Sequence, residues 1–92
     1  MYLTEITEDL DDILSKLSKK DPKKLDIILN KMEEILENPN HYKNLKKPLN
    51  NLKRVHIDKN HVLVFAVNEN TNTVIFVYFD HHDKIYCKNY EY

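Results

Sequence analysis

Two apolar runs constrain the fold more than anything else in the chain: HVLVFAV over residues 61–67 and VIFVYF over 74–79. Both are apolar on both faces and rich in β-branched and aromatic residues, as strands central to a sheet are. The residues between them, Asn68, Glu69, Asn70, Thr71, Asn72 and Thr73, are turn formers. Just upstream, Arg54, His56 and Asp58 alternate with Val55 and Ile57, the period-two pattern of a half-buried strand, and Asp58, Lys59 and Asn60 supply the next turn. The pattern predicts a three-stranded antiparallel meander over 52–86. Its ionisable groups gather at the strand ends, and function is to be sought there.

The preceding residues predict what covers this sheet. Leu3 to Ile6 carry a short strand signal that pairs with the later sheet. Thr7 is a good helix N-cap before Glu8, Asp9, Asp11 and Asp12, and Leu10, Ile13, Leu14 and Leu17 form an apolar stripe at helical spacing. Asp21 and Pro22 restart the chain as N-cap and first helical residue. Leu25, Ile28, Leu29, Met32, Ile35 and Leu36 form a second stripe, which Asn38 and Pro39 stop. With no residues to spare between them, the two helices form a hairpin. The predicted architecture is α+β: an N-terminal strand and a helix hairpin packed on one face of a four- or five-stranded, mostly antiparallel sheet, in a single domain spanning 1–92. The other face is left in want of a partner. Residues 41–51 read as an irregular loop anchored by Tyr42, Leu45 and Leu49. Residues 80–84 read as a turn, 85–87 as a last short strand, and 88–92 as a frayed tail.

Glycine is absent, so positions needing positive φ are expected at Asn50, Asn51, Asn60, Asn68, Asn70 and Asn72. The same absence excludes glycine-rich phosphate loops and dinucleotide fingerprints. A net charge of −1 conceals an asymmetry: residues 1–40 hold ten acids against six bases, whereas 41–61 hold Lys43, Lys46, Lys47, Lys53, Arg54 and Lys59 against Asp58 alone. Such a local basic face can bind a polyanion although the whole chain is near neutral. Neither a signal peptide nor an apolar run long enough for a membrane span is legible. The lone Cys87 forms no internal disulfide, which fits a reducing cytoplasm.

Acid–base chemistry at a phosphate without a metal would need a base, an acid and fixed positive charge beside the phosphate. His56, His61, His81 and His82 can exchange protons near neutral pH, and Arg54, Lys46, Lys47 and Lys53 can neutralise phosphate. His81 and His82, as neighbours on a strand, are expected to point apart. The spacings of His56, His61, His81, His82 and Asp83 match no closed zinc pattern, so no metal site and no cofactor are expected.

The order of strand, helix hairpin, basic loop, meander and terminal tyrosine resembles the RelE/ParE superfamily of prokaryotic toxins. The resemblance spans nearly the whole chain and is carried by three stretches: LENP at 36–39, LKRVHIDKNHVLVFAV at 52–67, and DHHDKIY at 80–86, which is similar to a closing Gly-His-Arg-x-x-(Val/Ile)-Tyr. It implies a ribosome-dependent mRNA endonuclease that inhibits translation in the cytoplasm under stress, neutralised by a RelB-like antitoxin in a hetero-oligomer. It places Arg54, His56, His82 and Tyr86 at catalytic positions and Lys43, Lys46, Lys47 and Lys53 at RNA-binding ones. His56 and His82 stand at family arginine positions, and Val62 stands where many members carry arginine. The alternatives on the same fold are a ParE-like inhibitor of DNA gyrase and a non-catalytic interaction module. The antitoxin is expected to dock through apolar contacts on the uncovered sheet face and the helices.

Overall fold

A computed structural model describes residues 1–88 and 90. Strand β1 (Leu3–Ile6) is followed by helices α1 (Glu8–Lys20) and α2 (Pro22–Glu37), then a 3-10 turn at Pro39–His41 and a long loop. Strands β2 (Lys53–His56), β3 (His61–Asn68) and β4 (Thr73–His81) make the meander, and a one-turn helix α3 (His82–Ile85) follows. The sheet has four strands in the order β1-β4-β3-β2, with β1 parallel to β4 and the other pairs antiparallel.

The helices begin where their caps dictate. The Thr7 hydroxyl accepts from Leu10 N–H (3.3 Å) and donates to Val77 O (2.6 Å), while Thr7 N–H donates to Phe76 O. One residue thus caps α1 and fastens it to β4. Asp21 accepts from Lys24 N–H at 3.1 Å as the cap of α2, with Pro22 at the first helical position. The two stripes meet the sheet in a core of Leu10, Leu14, Ile28, Met32 and Ile35 against Leu63, Phe65, Val74, Phe76 and Phe79.

Between Val64 and Phe65 the pairing with β4 slips: Val64 faces Tyr78 but Phe65 faces Phe76, which leaves Val77 as an extra residue. A β-bulge of this kind reverses the in–out phase of the strand beyond it. Phe76 and Phe79 therefore both reach the helix side, while Val77 and Tyr78 both lie on the opposite side.

That opposite side is not bare, as the sequence had suggested. Leu45 and Leu52 from the long loop and Ile85 from α3 close over Val62, Val64, Ala66 and Val77 as a second, smaller core, with Leu49 and Tyr90 at its margin. The expected last strand over 85–87 is helix α3 and the turn after it. Strand pairing there is pre-empted because both neighbours of β4 are already taken. Nor is the described part of the tail frayed. Lys88 bonds Asp9 at 3.0 Å and sits 4.5 Å from the Tyr78 ring centre, and the Tyr90 hydroxyl donates to Ile85 O at 2.8 Å. Burial pushes the Tyr90 phenol up to about 12. The rest of that expected tail, 89, 91 and 92, lies outside the described residues.

Of the six asparagines expected at positive φ, only Asn72 is found there (φ 54°). Asn68 works instead through its side chain, whose oxygen accepts from Asn70 and Thr71 N–H.

Candidate functional site

Alternation along β2 puts Val55 against the helix core and turns Arg54 and His56 to the other side, opposite Val64 and Val62 respectively. Above them the polar loop crosses back, held by Leu45 N–H to Leu52 O (2.8 Å) and Arg54 N–H to Lys43 O (3.1 Å). From the third side, α3 is tied to the β2–β3 turn by His82 N–H donating to Asn60 O at 2.8 Å. These three pieces enclose a cleft of about 310 Å³ lined by Arg54, His56, Lys46, Lys59, His82 and Tyr86 over an apolar floor of Leu45, Val62 and Ile85.

Two features decide what the cleft can bind. Three permanent cations, Lys46, Arg54 and Lys59, line it, and among the described residues no carboxylate does. The nearby Asp58 is turned away and already engaged. It bonds Lys24 Nζ at 2.7 Å and His61 Nδ1 at 3.0 Å, and accepts from Asn60 and His61 N–H. The Lys24 ammonium, aided by those donors, holds its carboxyl well below the usual carboxylate range. The cleft therefore has a positively charged lining with ionisable and hydrogen-bonding groups around it. Tyr86 contributes a hydroxyl whose oxygen accepts Lys46 N–H at 3.1 Å, so its own hydrogen is left to donate into the cleft.

The residue pair that geometry treats differently from expectation is His81 and His82. They straddle the change from strand to helix, so strand alternation does not separate them; their rings stack, 4.6 Å between centres and 29° between planes. His81 Nδ1 accepts from Asp83 N–H at 3.2 Å as the cap of α3. His61 stacks on Phe79 and meets the edge of His81, apart from the cleft lining.

The sequence model of the ParE toxin family of type II toxin–antitoxin systems matches residues 2–86. The chain belongs to this family of toxins. A curated relative from Methanocaldococcus jannaschii, named "Putative toxin RelE4", is 68% identical over 88 residues, covering 96% of this chain and 94% of the relative. Among solved structures, the YoeB/ParE toxin from Agrobacterium tumefaciens superimposes with a TM-score of 0.78 at 14% identity, over 87% of this chain and 98% of that one. The toxin–antitoxin complex RelBE2 of Mycobacterium tuberculosis gives 0.74 at 19% identity, over 88% and 98%. These likenesses establish the RelE/ParE fold, with its N-terminal strand, helix pair and mixed sheet.

The toxin's basic residues separate by geometry. Lys46 joins Arg54, His56, His82 and Tyr86 in the cleft, whereas Lys43 and Lys47 are exposed on the loop outside its lining. Lys53, one residue from Arg54, points to the other side of β2. There its ammonium donates to Tyr42 O (3.1 Å) and Asn44 Oδ1 (2.8 Å), a bracing role for the loop. Lys59 was not singled out by sequence beyond its part in the basic segment, yet it lines the cleft. Its place in the tight turn leaving His56 is the signal that finds it, because hairpin tips return over the strand end.

Proposed function

We propose that this toxin is a RelE-type ribosome-dependent mRNA endonuclease. The observation that carries the reading is the convergence of Arg54, His56, His82 and Tyr86 with Lys46 and Lys59 around one cleft that no carboxylate lines among the described residues. In that cleft Arg54, Lys46 and Lys59 hold the scissile phosphate and balance the charge that grows on it in the transition state. One imidazole of His56 and His82 takes the 2′-hydroxyl proton as the oxygen attacks phosphorus. The other, or the Tyr86 hydroxyl, gives a proton to the departing 5′-oxygen, leaving a 2′,3′-cyclic phosphate and a 5′-hydroxyl. An antitoxin partner, RelB-like in kind, is part of the proposal: the RelBE2 neighbour is a toxin–antitoxin complex, and Leu3, Ile6, Ile27 and Leu29 are exposed apolar residues on β1 and α2.

Primer extension on ribosome-bound message tests the activity. New 5′ ends should appear with the parent toxin and vanish with Arg54→Ala, while ribosome-free message stays intact. A second reading is favoured by the family model that matches, that of ParE toxins. A toxin that never cuts message but blocks supercoiling by purified gyrase would establish it in place of the first.

A further inference from the structure

We propose that His81, His82 and Asp83 form a binding site for a late first-row divalent cation, zinc being the natural probe. Their ligand atoms all lie within 4.8 Å of one another. The absence of a closed zinc pattern in the sequence stands, but the expected divergence of the two imidazoles does not: their rings stack.

The spacing fits coordination geometry closely. Two donors each about 2.1 Å from a cation, at angles between octahedral and tetrahedral, are themselves about 3.0–3.4 Å apart. Asp83 Oδ1 lies 2.9 Å from His82 Nδ1, and Asp83 Oδ2 lies 3.6 Å from His81 Nδ1. The carboxylate thus already sits between two imidazole nitrogens at near-chelate separations. His81 Nδ1 accepts a backbone hydrogen, so it is an unprotonated nitrogen whose lone pair becomes available to a ligand when that bond is given up. That 3.2 Å bond is long, and a cation displaces it at little cost. His82 and Asp83 are exposed and His81 is half-buried, so the rings can turn to close the third edge. Two imidazoles and one carboxylate suit zinc, nickel, cobalt or copper and disfavour magnesium and calcium, which want oxygen ligands. Three protein donors leave coordination positions for water.

His82 also lines the cleft. A cation held here adds positive charge at the cleft rim and removes one nitrogen of that ring from proton exchange. This consequence rests on the nuclease reading; the metal site itself does not.

The test is calorimetric titration of the untagged full chain with zinc chloride, and separately with magnesium chloride. One equivalent of zinc should bind, magnesium should not, and His81→Asn and Asp83→Asn should each weaken zinc by at least about tenfold. Asparagine at 81 keeps a side-chain acceptor for α3, and far-UV circular dichroism identifies any variant that has lost its fold. Cys87→Ser should bind zinc like the parent. Absence of saturable zinc binding, equal binding by both folded variants, or loss in Cys87→Ser alone would overturn the site. Each result is read without RNA, so it stands whether or not the toxin cuts message.

Discussion

Replacing Tyr86 with phenylalanine separates what the hydroxyl does for the fold from what it does in the cleft. In the structure its oxygen accepts one hydrogen bond, from Lys46 N–H at 3.1 Å, and both residues are exposed, Tyr86 at 47%. A hydrogen bond contributes about 0.5–1.5 kcal/mol net, and here water can replace the lost partner, so the low end applies. For a domain of this size about 0.5 kcal/mol is a fall of roughly 2–4 °C in Tm. If the same hydroxyl donates a proton or a hydrogen bond in the transition state, its removal costs about 10²-fold or more in rate. That is about 2.7 kcal/mol of barrier, several times the effect on stability. The assay pairs a thermal melt with single-turnover cleavage of ribosome-bound message. Parent-like cleavage by Tyr86→Phe would refute a chemical role for the hydroxyl. A loss of activity matched by a melt lowered more than about 8 °C would show a packing effect instead.

The remaining predictions use other parts of the structure. Lys46→Glu or Lys59→Glu should weaken ribosome binding and make its dependence on salt shallower, by about 0.7–0.9 per lost phosphate contact, as read from binding constants across a salt series. Lys53→Glu should instead lower the melting temperature, since Lys53 braces Tyr42 and Asn44. The depressed Asp58 carboxyl contributes stability that is present above about pH 4 and lost as pH falls below it. The pair with Lys24 is about a third exposed, so the loss is about 0.2–1 kcal/mol, and urea midpoints at falling pH should show it shrink in Lys24→Met. The raised Tyr90 phenol works in the opposite sense: its contribution is present below about pH 10 and lost as pH rises through about 12. Alkaline melts of the parent and Tyr90→Phe should therefore converge.

How much of this was legible in the sequence depends on whether a signal is periodic. The stripe from Leu10 to Leu17, the caps Thr7 and Asp21, and the alternation of Arg54 and His56 with Val55 all repeat along the chain, and they gave the helices and the face of β2. The cover of the second sheet face was not legible beyond Leu45 and Leu49 as loop anchors, because Leu45, Leu52 and Ile85 are isolated apolar residues in polar surroundings with no repeat to say which face they meet. The bulge at Val77 was equally hidden, since VIFVYF is apolar at every position and shows no change of phase. The pairing of His81 with His82 turned on a strand giving way to a helix between them, and there a one-residue error in a boundary reverses a side chain's direction. Within the cleft, residues on β2 followed from alternation, whereas Lys59 and Lys46 needed the path of the loops.

The parallel pairing of β1 with β4 has a consequence for synthesis. β1 precedes its neighbour β4 in the chain by the helix hairpin, the long loop and two strands, so Leu3 waits for Thr73, Ile6 for Phe76, and the Thr7 hydroxyl for Val77. Contacts that join the two ends of a chain close late, after the intervening loop has been ordered. His82 and Tyr86 follow β4 in the chain, so the cleft is completed only after the sheet's four strands have been made. A nascent chain of this toxin thus carries its helix hairpin without a sheet to pack on and its basic loop without the opposing wall.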